Sequence, residues 1–140
     1  MLAPMTKAIS RINPPGLHTP PGYHHITIVE AGRTAHLAGQ CPVGIDGEVV
    51  GRGDLDAQID QVAANSVTAL AAVDATPADV VRSVIYVVTD DVEVLGAAWH
   101  RLTTSPLGQA FTTASTLLGV AQLGFEGQLV EVDLTAALAS

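Results

Sequence analysis

The sequence predicts a single α+β domain, one β-sheet with two helices packed on one face. Three observations predict it. The chain has 140 residues, the length of one domain. Hydrophobic residues make up 48% of it and charged residues 14%, enough to build a core and too apolar for a disordered chain. The apolar period then switches along the chain between two and about 3.6 residues, in the order β-β-(β)-α-β-α-β-β.

The elements follow in order. Residues 1–22 carry Pro4, Pro14, Pro15, Pro20 and Pro21, with Gly16 and Gly22, and predict an extended N-terminal lead-in. In the next stretch Ile26, Ile28 and Glu30 fall on one side, and Thr27, Val29 and Ala31 on the other. Beyond Ala31-Gly32-Arg33, Ala35, Leu37 and Gly39 alternate with His36 and Ala38, which predicts a β-hairpin. Asp46-Gly47 marks a second turn within "GQCPVGIDGEVVG". Leu55, Ile59, Val62, Ser66, Leu70 and Val73 recur at steps of three and four, one face of a helix over 54–73 with Asp54 as its N-cap. "DVVRSVIYVVT", 79–89, is a β-branched strand. A shorter helix over 91–102 presents Val94, Leu95, Ala98, Trp99 and Leu102. Strands over 115–121 and 128–137 close the domain, joined through Gly124 to Gly127.

Composition narrows the function. The net charge is −8 and the sequence pI about 4.7, with six Lys and Arg in no cluster. Nucleic acid is therefore not the expected partner, because binding it needs cations to replace phosphate counterions. No apolar run reaches the roughly 18 residues of a membrane helix, and no N-terminal stretch has the pattern of a secretory signal. The expectation is a cytoplasmic protein without membrane contact. A mean hydropathy of +0.36 with few charges leaves a monomer short of polar surface, so self-association is expected.

Candidate chemistry is sparse. Five histidines stand without ligand spacing, and His24 and His25, being adjacent on an extended segment, point apart. No metal and no cofactor are expected. Cys41 precedes Pro42 without an activating pattern and reads as a packed, inert thiol. The glycines of "CPVGIDGEVVGRG" fit no phosphate template and read as turn residues. Glu131 is the residue of interest. In "QLVEVDLTAA" the apolar set Val130, Val132, Leu134 and Ala136 is the core side, and Leu129, Glu131, Asp133 and Thr135 lie opposite. A solvated strand face is the plainer reading. Covered by another subunit, the same carboxylate would be partly desolvated and able to act as a general acid or base.

Seven stretches, "INPPGL", "GYHH", "LAGQCPV", "GEVVG", "AQIDQVAANSVTAL", "DVVRSVIYVVTD" and "LVEVDLTAAL", resemble in order the Rid (RidA/YjgF) family of reactive-intermediate enamine/imine deaminases. The resemblance implies a chorismate-mutase-like fold assembled as a homotrimer with clefts between subunits. It implies a small-molecule substrate of the 2-aminoacrylate type, hydrolysed without metal or organic cofactor to a 2-oxo acid and ammonia. It carries Tyr23 onto the family's loop Tyr, Gly39 and Gln40 onto its turn, and Glu131 onto the strand Glu beside the attacking water. His25 matches a position read as structural.

One departure stands out. The family's Pro-Ala-Arg-Thr stretch falls on Thr113, Ala114, Ser115 and Thr116, so Ser115 replaces the carboxylate-gripping Arg, and Leu117 follows two positions on. Breaking a buried guanidinium–carboxylate pair costs about 3–5 kcal/mol. None of Arg33, Arg52, Arg82 and Arg101 reads as a substitute. The resemblance then implies a divergent hydrolase for a neutral or differently anchored imine or enamine. Ser115 and Thr116 would donate hydrogen bonds, Tyr23 would close the cleft and Glu131 would deprotonate water. The alternative is a non-catalytic metabolite-binding or interaction module on the same scaffold.

Overall fold

The structure is a computed structural model and describes residues 9–139; Met1 to Ala8 and Ser140, the first part of the lead-in among them, lie outside the described residues. The described residues form six strands and two α-helices: β1 (Ile9–Ile12), β2 (Ile26–Val29), β3 (Thr34–His36), α1 (Leu55–Ala71), β4 (Val80–Val88), α2 (Val92–Thr103), β5 (Ala114–Val120) and β6 (Val130–Ala137). The main sheet has the order β3-β6-β4-β5, with β4–β5 parallel and the β3–β6 and β6–β4 pairs antiparallel. Both helices pack on one face of it, as the sequence predicts.

The helices start where a side chain satisfies the free amides of the first turn. Asp54 accepts from Ala57 N at 3.0 Å and Asp91 from Glu93 N at 2.8 Å. Ile59, Val62 and Leu70 of α1 and Leu102 of α2 are fully buried, as are Ile85 and Val87 of β4 and Val130 and Val132 of β6. One extra residue, Val81, interrupts the β4–β6 register between Val80 and Arg82. Beyond this bulge Ser83, Ile85 and Val87 face the helices, while Arg82, Val84 and Tyr86 share the outer face with Glu131, Asp133 and Thr135.

Strand existence was predicted better than strand pairing. β2 and β3 do not form the expected hairpin: β2 pairs with β1 in a separate two-stranded sheet, Ile9 opposite Val29, and β3 pairs with β6. Ile26 and Ile28 are exposed, so their alternation marks no core side that could have fixed a partner. The inward residue is Thr27, whose hydroxyl bonds that of Thr113. The lead-in contributes a paired strand, β1, which its prolines gave no sign of. β5 and β6, consecutive in sequence, are held apart by β4.

Candidate active site

The site residues expected from the sequence fall into two groups, one on each face of the sheet. Ser115 and Leu117 face the helices, because Ser115 lies opposite Ser83 and Leu117 opposite Ile85 in the parallel β4–β5 register. Glu131 faces outward, beside Tyr86. Thr116, next to Ser115, also points outward, as adjacent strand residues must. The expected pair of hydroxyls, Ser115 with Thr116, therefore does not line one cavity within a protomer, and the sheet stands between Ser115 and Glu131.

On the helix side, Ser115 and Leu117 line a cavity of about 310 Å³ with Tyr23 and with Leu95, Gly96 and Trp99 of α2. The loop carrying Tyr23 is strapped to the residues just before β5. His24 N donates to Thr113 O at 3.3 Å, and the His24 ring bonds Thr112 O. His25 Nε2 lies 2.8 Å from His18 O, and His18 Nε2 lies 3.1 Å from the Tyr23 hydroxyl. His25 thus braces the loop. The Tyr23 ring meets Trp99 edge-on at 6.2 Å, and Trp99 meets Phe111 at 5.9 Å, which fixes one wall of the cavity. Ser115 Oγ lies 2.5 Å from Ser83 Oγ and 3.0 Å from Thr113 O.

On the outer face, Glu131 is a held carboxylate. Gln128 Nε2 donates to Oε1 at 3.1 Å, and Cys41 Sγ lies 3.1 Å from the same oxygen. Gly39 sits against the other side: a Cβ there would lie 2.8 Å from Asp133 Oδ1 and would run into Glu131 Oε2. Glycine is needed here for close approach. Gln40 pairs through its backbone with Val132 and turns its side-chain amide back to Ala38 O at 2.9 Å. Asp133 accepts from the Tyr86 hydroxyl at 3.1 Å, and burial first, then Asp133, push the Tyr86 phenol up from its usual range. Burial, followed by the Glu131 carboxylate, pushes the Cys41 thiol up to about 12. Cys41 is a neutral donor at physiological pH. Arg82 reaches Thr116 Oγ1 at 2.7 Å, so a guanidinium does stand on the outer face, bonded to the hydroxyl expected to meet the substrate.

Sequence reasoning missed Gln128. It is 4% exposed, accepts from Phe125 N at 3.1 Å and donates to Val130 O at 3.0 Å while holding Glu131. A single amide at a strand entrance has no period to betray it. Among the described residues, no group of three His, Cys, Asp or Glu is arranged to hold a metal ion, and no helix is long and apolar enough to cross a membrane.

A family model described as Endoribonuclease L-PSP matches residues 17–138. The chain belongs to this family, the Rid (YjgF) family. Among solved structures, a Rid-family protein of unknown function, YyfB from Yersinia pestis, is 37% identical, with a TM-score of 0.82 over 93% of this chain and 98% of that one. Two others share the fold at lower identity. Rv2704 from Mycobacterium tuberculosis, a member of the YjgF/YER057c/UK114 family, is 21% identical, with a TM-score of 0.61 over 94% of this chain and 100% of its own. Yeast Mmf1 is 18% identical, with a TM-score of 0.65 over 97% and 98%. No curated protein matches the chain.

Proposed function

We propose that this Rid protein is a divergent hydrolase for a small imine, enamine or related labile intermediate, working in a cleft between the copies of a homotrimer without metal or organic cofactor. The observation that carries the reading is the state of the Glu131 carboxylate. Oε1 is fixed by Gln128 and Cys41, while Oε2 has no hydrogen bond among the described residues and faces the bare Gly39. A carboxylate oriented at one oxygen and left without a hydrogen bond at the other suits the activation of water.

The chemistry follows. Oε2 takes a proton as water adds to the C=N carbon, and the addition gives a carbinolamine. Starting from the protonated imine, this carbinolamine is neutral; Glu131 returns the proton to its nitrogen and then accepts the hydroxyl proton as the C–N bond breaks, so that ammonia leaves and the carbonyl forms. An enamine first takes a proton on carbon to reach the imine. Tyr23, Ser115 and Leu117 shape the substrate cavity, and Gly39 and Gln40 hold the turn beside the acid. Since the sheet separates the cavity from Glu131 within a protomer, the outer face of one copy closes on the cavity of the next. The half-buried apolar residues Val84, Val88 and Val120 on that outer face support such a contact.

The test is hydrolysis of a panel of imines generated in situ, comparing wild type with Glu131→Gln. Loss of a general acid–base group lowers the rate roughly 10²- to 10⁴-fold. Equal rates across the panel would overturn the reading. The separation of Ser115 from Glu131 within the protomer favours one second reading, a metabolite-binding module without turnover. Thermal-shift hits that are never converted would select it. Ribonuclease action, which the family description names, is disfavoured by the charge of −8. Arg101 is also tied to Asp60 and Asp56, and Arg11 to the carbonyls of Ala78 and Val80.

A further inference from the structure

The cavity beside Ser115 lacks what an anion needs. None of its lining residues is charged, and its walls are mostly hydrocarbon and aromatic: Leu95, Gly96 and Trp99 on one side, Leu117 and Tyr23 on the other. At about 310 Å³ it sits at the small end of ligand sites. A dry cavity of about 150 Å³ already accepts benzene, so this one has room for a ring with a short substituent.

Two hydroxyl side chains line it: that of Tyr23 is bonded to His18, and that of Ser115 has its hydrogen already committed. Ser83 is fully buried, and its hydroxyl lies 2.5 Å from that of Ser115. Ser115 Oγ is also 3.0 Å from Thr113 O. One arrangement gives both hydroxyl hydrogens a partner: Ser83 donates to Ser115, and Ser115 donates to Thr113 O. What Ser115 then shows the cavity is a lone pair. An arginine at this place would offer up to five donors and a charge. The polarity of the subsite is therefore inverted, from hydrogen-bond donor to acceptor.

We propose that the cavity binds a small carboxylate-free ligand with an aromatic or branched hydrocarbon body and an N–H that donates to Ser115. As a substrate, that is an aryl or branched-alkyl imine rather than a 2-imino acid. The substrate class rests on the hydrolase reading; the binding preference does not.

Trp99, the single tryptophan, lines the cavity and reports occupancy by its fluorescence. The probes are benzamide, a neutral N–H donor, and benzoate, an anion of the same outline. Benzamide is expected to change the signal saturably, with a dissociation constant at least about tenfold below that of benzoate. Gly96→Leu is the blocking variant. No heavy atom lies within 4 Å of a Cβ at Gly96, and leucine is the better helix former. It is expected to weaken benzamide about tenfold or more by filling the cavity while the melting temperature holds or rises. Ser115→Ala is expected to narrow the benzamide–benzoate ratio. No saturable response, benzoate binding as tightly as benzamide, or unchanged binding in Gly96→Leu would each overturn the proposal. Binding of benzamide without turnover of any imine would sink only the hydrolase reading. Hydrolysis of 2-imino acids with no benzamide binding would sink only this one.

Discussion

The Cys41 thiol and the Glu131 carboxylate are partners: Sγ lies 3.1 Å from Oε1, on a sheet face whose other acid, Asp133, stands close by. Ionising the thiol would place a second negative charge beside the first in a desolvated setting. With the thiol pushed up to about 12, Cys41 is expected to react with iodoacetamide far more slowly than a free cysteine at pH 8 to 9. Glu131→Gln removes two of the causes that raise it, so alkylation is expected to speed up. Mass spectrometry of timed samples measures both. The sign for stability follows from the same shift. The folded thiol holds its proton more tightly than the unfolded one, so its contribution is complete below the ordinary thiol value near 9. It is lost as pH rises from there toward about 12. Denaturant midpoints across that alkaline window are expected to fall less steeply in Cys41→Ser.

Gly39→Ala tests the close approach beneath the acid. The added methyl meets the ends of Glu131 and Asp133 rather than backbone, so the carboxylates move and the fold survives. Overpacking of this kind costs about 1–3 kcal/mol. The expected result is a modest drop in the urea midpoint with a much larger drop in kcat. An unchanged kcat would show that Glu131 does not need its present position.

Gln128→Leu removes a donor to Glu131, the acceptor for Phe125 N–H and the side-chain donor to the buried Val130 C=O. An unsatisfied buried group costs about 1–3 kcal/mol, so the variant is expected to be destabilised by about that much in equilibrium unfolding. Gln128→Glu keeps the acceptor for Phe125 but sets a carboxylate against Glu131. A pH–rate profile displaced in Gln128→Glu, which a purely structural role would leave in place, is the expected sign that Gln128 positions the acid.

Ser115→Arg, combined with Ser83→Ala so that no hydroxyl is left unpaired, restores a guanidinium beside Trp99 and Tyr23. Charged hydrogen bonds contribute about 1.5–3 kcal/mol, so benzoate is expected to bind tenfold or more tightly than to wild type. Trp99 fluorescence follows the titration. A folded double variant with no gain for benzoate would mean that the cavity is not where a substrate carboxylate sits.

Both helices, β4 and β6 were legible in the sequence because their burial is periodic. Ile59, Val62 and Leu70 repeat at helical steps, and Val130, Val132 and Leu134 alternate. Partner choice was not legible. Ile26 and Ile28 alternate as cleanly as Val130 and Val132, yet they face solvent on a separate sheet. The same gap hid the geometry of the site. Alternation along β5 and along β6 each fixes which residues share a side. Whether Ser115 and Glu131 share one depends on the registers Ile85 opposite Leu117 and Tyr86 opposite Glu131, and no property of either strand alone encodes them. Tyr23 joined Ser115 and Leu117 at the cavity, whereas Gly39 and Gln40 went with Glu131.

The interior place of β6 has a consequence for how the chain comes off the ribosome. Its hydrogen bonds serve β3, β4 and Gln40, yet it follows all of them in the chain. Until residues 130–137 emerge, β3 has no neighbour in the sheet, and nascent β4 and β5 can join only each other. The centre of the sheet therefore closes only after this segment is made, and a stalled or clipped product missing it exposes two unmatched edges to every other such fragment nearby.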